Sequence, residues 1–296
     1  MTAENPLRTS VIMVTYHTGP VLFDAVKAVL DQNFPVELCL VDNGNPASVV
    51  AQLQDMAAAD ERLRFVTGYG NVGFSRGCNT GARVARGQYL LFLNPDSVLS
   101  PGTFQKLLNI YGSLPPHAML GARLVDGHGK DQRGCRRALL TPTTAFIEAF
   151  HLGKFFPKAR LNFNQEPLPT SIVSIPAISG AFMFLSRDDF WLIKGFDEGY
   201  FLHVEDLDFC LRFRRAGGDI FFVPDIVVTH IGGTSEASTS FIEQHKARGF
   251  MRYFHRNFKD EYPWFLLAIL DLFIWLRAGL KIGIQALKPL GQNEVS

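Results

Sequence analysis

The apolar and polar positions of the first hundred residues alternate between two periods. Residues 10–16 (SVIMVTY) form a short, nearly unbroken apolar run, the mark of a strand buried on both faces. Residues 20–32 (PVLFDAVKAVLDQ) space their apolar side chains three and four apart, which predicts an amphipathic helix. The alternation continues with a strand at 36–44 (VELCLVDNG), a helix at 46–59, a strand at 62–68 (RLRFVTG) and a helix at 75–86. A fourth strand, 89–93 (YLLFL), is halted by Asn94-Pro95-Asp96. Strands and helices in this order predict βαβ units, hence a parallel sheet with right-handed crossovers. Residues 115–175 read as irregular and rich in Arg and Pro. Regular pattern returns at 171–190, followed by a helix at 204–217 (VEDLDFCLRFRRAG) and two short strands within 219–233 (DIFFVPDIVVTHIGG). From residue 236 the chain reads as helical, first basic and then strongly apolar, with no internal repeat and no low-complexity linker.

Composition narrows the class. The 296 residues are 47% hydrophobic and 19% charged, with a net charge of +1, which predicts a substantial core and excludes a disordered or nucleic-acid-coating chain. Four well-separated cysteines without a Cys-x-x-Cys pair argue against a zinc knuckle or a disulfide framework. The first residues carry no charged-then-apolar leader, so a reducing cytoplasm is the expected compartment.

Parallel sheets bind ligands at the carboxyl ends of their strands, which directs attention to the acids there. Asp42 ends the second strand; it could accept a ring N–H of a pyrimidine base, or equally close an Asx turn. Asp96 follows the fourth strand; a hard oxygen ligand suits Mg²⁺ or Mn²⁺ bridging a diphosphate, although Asn-Pro-Asp is also simply turn-forming. His230 ends a later strand beside two glycines and could be structural or a ligand. Glu205, Asp206 and Asp208 open a helix that closes with Arg212, Arg214 and Arg215. The helix dipole explains that order, and either a general base or a cap explains the adjacent pair. Residues 68–73 (GYGNVG) match Gly-x-Gly-x-x-Gly, so a dinucleotide-dependent oxidoreductase is an alternative. Against it, two βα units precede the motif and no second mononucleotide half follows.

Six pieces in order, VIMVTYH, LVDNGN, GNVGFSRGCNTGAR, LLFLNPDSVL, the block ISGAFMFLSRDDFWLIKGFDEGYFLHVEDLDFCLRFRRAG and VVTHIGGTS, resemble the family 2 glycosyltransferases of the GT-A type. The resemblance implies a Rossmann-like, mostly parallel α/β sheet flanked by helices, with a C-terminal helical extension. With the resemblance ending near residue 235, the chain is expected to divide into a catalytic domain at 8–235 and a helical region at 236–296 whose membrane association is read from its own pattern. The resemblance also implies one in-line displacement with inversion on a metal-bridged nucleotide-diphosphate sugar. By the same resemblance Asp206 is the base, Asp96 and His230 hold Mg²⁺ or Mn²⁺, and Asp42 contacts the nucleotide base. Thr15, Tyr16, Asn43, Asn71, Gly73, Arg76, Asn79 and Asn94 fall on the donor side, and Glu205, Arg136 and Arg137 on the acceptor side. Asn94 stands where the simplest Asp-x-Asp metal motif has its first Asp. NVGFSRGCNTGAR, LNPD, QRGCRR and GFDEGYFLHVEDLDFCLR are most similar to bacterial rhamnosyltransferases of cell-surface polysaccharide assembly. That implies dTDP-L-rhamnose as donor and a glycan or polyprenyl-linked acceptor. A catalytically silent sugar-nucleotide-binding subunit is the remaining alternative.

The tail 263–291 has apolar stretches too short to span a bilayer. On a helix, Asp271, Arg277, Lys281, Gln285 and Lys288 fall within an arc of roughly 120°. A narrow basic stripe on a broad apolar helix predicts an interfacial helix on the inner face of the cell membrane. The competing expectation is a helix packed on the catalytic domain or in a dimer interface.

Overall fold

A computed structural model describes residues 8–149, 161–163, 166–234 and 237–286. The apolar runs at the start of the chain become strands buried at every position, β1 (Thr9–Thr15) and β2 (Val36–Asp42). They join β3 (Leu63–Val66), β4 (Tyr89–Leu93), β5 (Ser97–Leu99), β6 (Ala118–Val125), β7 (Val173–Ser174), β8 (Phe182–Ser186) and β9 (Asp219–His230) in one nine-stranded sheet. The order is β3-β2-β1-β4-β8-β6-β9-β5, with β7 also paired to β9. The ladders set β1, β2, β3, β4, β6 and β9 in one direction and β5, β7 and β8 in the other, so the sheet is mostly parallel.

The helices are α1 (Val21–Leu30), α2 (Ala47–Ala59), α3 (Phe74–Val84), α4 (Thr103–Tyr111), α5 (Pro142–Ala149), α6 (Arg187–Leu192), α7 (Glu205–Arg215), α8 (Thr239–Phe258) and α9 (Trp264–Ala286). Close approach of α3 to the sheet depends on its glycines: a Cβ at Gly81 would lie 2.6 Å from Ile12 Cγ2. The abundant phenylalanine has a positional use. Phe92 of β4, Phe190 of α6, Phe196 and Phe209 of α7 pack ring on ring at 4.7 to 5.7 Å between centroids. Each such pair adds about 0.5–1.5 kcal/mol beyond burial, and together they lock the start of α7 to the end of β4.

Two sequence expectations change. The segment 115–175 holds an eight-residue strand, β6, in the middle of the sheet. Gly121 and Arg123 interrupt its apolar run and hide the signal; Gly121 is required there because a Cβ would sit 2.5 Å from Ile178 Cγ2. The two short strands expected within 219–233 are one strand, β9. Its pairing to β6 jumps from Val223 to Val227, so Pro224, Asp225 and Ile226 form a bulge. Proline has no N–H for a ladder bond, and a bulge accommodates it.

α8 and α9 form a hairpin. Glu243 pairs with Lys281 at 2.9 Å and His255 with Asp271 at 2.7 Å, so the helices run antiparallel. α8 anchors to the hydrophobic core through Phe254, Phe258 and the Tyr253 hydroxyl, which donates to Leu140 O at 2.8 Å. α9 turns Leu267, Leu270 and Ala278 inward. The polar stripe is thus corrected: Asp271 and Lys281 face α8 instead of the outside, because they find charged partners there. Arg277 is exposed, and Lys288 lies outside the described residues. Among the described residues no helix is long and apolar enough to cross a membrane.

Candidate active site

Strand register gathers the acids at one end of the sheet. Thr15 is opposite Asp42, Leu93 is opposite Phe182, and Ser97 is opposite His230. The carboxyl ends of β1, β2, β4 and β9 therefore border the start of β8, where Ala181 O accepts from Asn94 N–H at 3.1 Å. This is where a sheet of this kind binds its ligand.

On the β1–β2 side, Asp42 is occupied by its own turn. Its Oδ1 accepts from Gly44 N–H, Asn45 N–H and Asn45 Nδ2 at 2.7 to 3.1 Å, and its Oδ2 from Thr67 Oγ1 at 2.8 Å. Burial opposes its ionisation, but these bonds more than reverse that and hold the carboxyl below its ordinary range. Asn45 also ties down the preceding loop, accepting from His17 N–H at 2.8 Å and donating to Thr15 O at 3.1 Å. Asn43 bridges β2 to the glycine loop: its amide donates to Asn71 Oδ1 at 3.0 Å and its Oδ1 accepts from Val72 N–H at 3.0 Å. Tyr16 is half-buried, its ring against Gly44. Thr15, Tyr16, Asp42, Asn43 and Asn71 thus share one wall.

The glycine loop lacks a pyrophosphate cradle. The first N–H of α3, on Phe74, already donates to Phe201 O at 2.7 Å, and a Cβ at Gly73 would meet the same oxygen at 2.7 Å. Gly73 is there for close packing, and the dinucleotide alternative loses its main support. Arg76 and Asn79, on α3, both bind Glu198, at 3.1 Å each, and Asn79 also grips the Phe196 backbone. Asn79 is buried and serves the loop before α7.

Asp96 and His230 do come together. Asp96 Oδ2 accepts from Gly232 N–H at 3.1 Å and Thr234 Oγ1 at 3.0 Å. Its Oδ1 is buried, without a hydrogen bond, 3.2 Å from His230 Nε2; Asn94 Nδ2 is also 3.2 Å from that nitrogen. Burial opposes ionisation of Asp96, and His230 and Thr234 outweigh it, so the carboxyl stays below its ordinary range. Gln132 orients the imidazole. Its amide nitrogen donates to His230 O at 2.6 Å, which aims its Oε1 at Nδ1, 2.6 Å away. With Nδ1 turned to Gln132 Oε1, Nε2 is the ring nitrogen that faces Asp96 Oδ1, and deprotonated it would present a lone pair there. Two acceptors at this separation suit adjacent ligands of an octahedral cation, about 3 Å apart at bonds of roughly 2.1 Å. The residues present fit a hard divalent metal completed by phosphate oxygens. Among the described residues no three His, Cys, Asp or Glu side chains gather as a self-sufficient metal site.

Asp206 opens α7 one strand away. His203 and Val204 precede it at φ of 66° and 72°, a turn that L residues rarely adopt. Asp206 Oδ2 accepts from Arg137 Nη2 at 2.5 Å and Gly180 N–H at 3.1 Å, and Oδ1 from Leu207 N–H at 2.8 Å. Burial would raise it; Arg137 and these N–H groups prevail and hold it low. Glu205 is driven the other way, up to about 8, first by burial and then by the Asp206 charge. Its Oε2 is buried and unpartnered. Asp208 is structural: Arg212 at 2.6 Å, Tyr200 Oη and Asn257 Nδ2 at 3.1 Å enclose it. Arg136 points elsewhere, to Glu166 O at 3.1 Å and Pro167 O at 3.3 Å, with Phe222 beneath its guanidinium. Gln132, Thr234 and Gly180 were not singled out from sequence. They lie inside QRGCRR, VVTHIGGTS and the ISGAF block, but each acts through contacts to residues more than 25 positions away, which a local motif does not name.

The description "Glycosyl transferase family 2" matches residues 10–191. The chain belongs to this family. Among the curated glycosyltransferases similar to it, the N-acetylglucosaminyl-diphospho-decaprenol L-rhamnosyltransferase of Mycobacterium tuberculosis is 27% identical over 236 residues, 74% of this chain and 75% of that protein. The Rhamnosyltransferase WbbL of Escherichia coli K12 is 30% identical over 152 residues, half of this chain and 54% of that protein. Two solved structures show the same fold. GalNAc-T7 with UDP, GalNAc and Mn²⁺ aligns at a TM-score of 0.64 and 17% identity, over 97% of this chain, which spans 59% of that one. The mannosyltransferase PcManGT of Pyrobaculum calidifontis, in complex with GDP-Man and Mn²⁺, aligns at 0.59 and 14%, over 95% of this chain and 73% of that one. The fold is thus GT-A, and both of these structural neighbours contain Mn²⁺.

Proposed function

We propose that this glycosyltransferase moves L-rhamnose from dTDP-L-rhamnose, with inversion, to a hydroxyl of a polyprenyl-diphosphate-linked or glycan acceptor at the inner face of the cell membrane. The observation that carries it is the placement of Asp96–His230 and Asp206 on either side of the Gly180–Ala181 strand start. A candidate phosphate-binding end and a candidate proton acceptor are thus tied to adjacent residues of one strand start, Ala181 through Asn94 and Gly180 through Asp206. The two rhamnosyltransferase relatives, one named for a diphospho-decaprenol, support the donor and acceptor class.

Asp96 and His230 would hold the divalent cation, whose charge neutralises the departing nucleoside diphosphate. The chain's own residues do the rest. Asp206 accepts the proton of the acceptor hydroxyl as that oxygen bonds to the anomeric carbon and the bond to the diphosphate oxygen breaks. Arg137 keeps Asp206 ionised and aimed, at some loss of proton affinity. The Asn43–Asn71 bridge and the Asp42 turn rigidify the nucleotide wall. We assign residues 8–235 to this catalytic unit and the region from 236 onward to the membrane surface. On α9, Trp264, Phe265, Leu272, Leu276, Leu280 and Ile284 are exposed, an apolar face that suits lipid.

Thermal-shift titration with dTDP-L-rhamnose, other sugar nucleotides and NAD(P), with and without Mn²⁺, tests the reading. Metal-dependent stabilisation by dTDP-L-rhamnose is expected, abolished by Asp96→Ala together with transfer. Full transfer in EDTA, or a response to NAD(P) alone, refutes it.

A further inference from the structure

α8 and α9 bring four charged side chains together next to the loop that delivers Asp206. Glu243 and Lys281 pair at 2.9 Å and cancel. Lys246, three residues along α8 from Glu243, is half-buried and makes no hydrogen bond or ion pair among the described residues. Arg277 of α9 is exposed and close enough for its charge to act on both Lys246 and Glu243. The cluster therefore carries two net positive charges, and the carboxylates whose charge acts on Lys246 are already matched, Glu243 by Lys281 and Asp206 by Arg137.

The backbone fixes where this cluster lies. His245 stacks on Phe201 at 4.3 Å between centroids. A Cβ on Gly249 would be 3.2 Å from both His203 O and Val204 Cγ2. Residues 245–249 of α8 therefore run along the 201–204 loop, immediately before Glu205 and Asp206. Burial, then Lys246, pushes His203 down to about 4, so this histidine is neutral and leaves the cation unanswered. A lysine partly removed from water without a counter-charge is unfavourable, and a bound anion supplies the missing charge. Next to the cluster in the chain, Leu276 and Leu280, each one residue before Arg277 and Lys281, are exposed on the apolar face of α9. The geometry asks for an anion that carries an apolar tail on one side and offers a sugar hydroxyl to Asp206 on the other.

We propose that Lys246 and Arg277, with Lys281 behind them, form the subsite for the diphosphate of a polyprenyl-diphosphate-linked acceptor. The choice of occupant rests on the acceptor class proposed above; the cluster itself does not. Phosphate esters near an apolar surface could also be membrane headgroups, so the experiment separates the two sources.

The full-length protein, in detergent micelles with EDTA to silence the metal site, is titrated calorimetrically with farnesyl diphosphate and with farnesol. At least tenfold tighter binding of the diphosphate is expected. Lys246→Ala and Arg277→Ala should each erase most of that preference, and Lys246→Arg should retain it, with circular dichroism melts reporting that each variant is folded. Undiminished preference in both alanine variants, or no preference in the wild type, overturns the proposal. In flotation with phosphatidylcholine vesicles, with or without phosphatidylglycerol, Lys246→Ala should behave as wild type. A loss confined to the phosphatidylglycerol vesicles, with farnesyl diphosphate binding intact, assigns the cluster to headgroups and also overturns it. Transfer to a phosphate-free hexyl glycoside, followed separately, reports on the transferase reading alone.

Discussion

At Glu205-Asp206 two neighbouring carboxyls are pushed in opposite directions by one environment. Arg137 stands against Asp206, so that carboxyl is ionised well into acid; Glu205 faces burial and the Asp206 charge, so it holds its proton. The ionised member is the one able to take a proton at neutral pH. Asp206→Asn should cut turnover by about 10²–10⁴ while leaving the donor dissociation constant unchanged, since the nucleotide and metal contacts proposed above lie elsewhere. If Asp206→Asn turns over normally and Glu205→Gln is inactive, the base is Glu205. The same pair predicts a pH dependence. Glu205 binds its proton more tightly folded than unfolded, so folding takes up a proton and stability falls as pH climbs from the usual range, near 4.5, through about 8. Asp206 has the opposite sign, and its contribution is lost only in acid, below the ordinary carboxylate range. Glu205→Gln removes the first slope. Its melting temperature should rise relative to wild type as the buffer goes from about pH 5 to about pH 8. A constant difference would contradict the burial of that carboxyl.

Among the elements, α3 and α7 depend on close contact more than on propensity. α3 begins at Gly73, with φ at 86° and Phe201 O where a Cβ would go, and its first N–H is capped by that same carbonyl. Gly73→Ala imposes a left-handed backbone on alanine and opens the contact to the loop before Asp206. We expect a loss of about 1–3 kcal/mol of stability in denaturant titration and a larger relative loss of turnover than of donor affinity. Equal stability and activity would mean that the loop moves freely. α7 reads from sequence as a dipole-ordered helix, and the structure divides that order among separate tasks. Asp208 pairs with Arg212 within the helix, while Arg215 leaves it to meet Glu261.

At the scale of the whole molecule, α9 presents Asp271 and Lys281 to α8 and large apolar side chains outward. Charge reversal at Lys281 should therefore unsettle the α8–α9 pairing with Glu243 instead of acting directly on lipid. Aspartate at Leu272, Leu276 and Leu280 together should abolish sedimentation with phosphatidylcholine vesicles and leave donor binding intact. Continued sedimentation, or a salt-reversible dimer in place of vesicle binding, would favour a second copy of the chain as the covering surface.

The unbroken apolar runs and the period-3.6 patterns of residues 9–93 are local, so β1 to β4 and α1 to α3 were legible to within a few residues from the sequence alone. So were the acids at the strand ends, because right-handed βαβ crossovers put the carboxyl ends of all the parallel strands at one end of the sheet. The sequence did not reveal β6, whose glycine is needed for Ile178, nor the continuity of β9 across Pro224. It also could not say that Arg136 serves backbone carbonyls while Arg137, its neighbour, holds Asp206. The same holds for Gln132 on His230 and for the inward turn of the α9 stripe. These depend on partners far away in the chain, and side-chain periodicity carries no record of which distant residue a buried charge will meet. Composition and order determined the sheet and the strand ends that bear the chemistry, and only tertiary packing decided which of those groups face one another, with what charge.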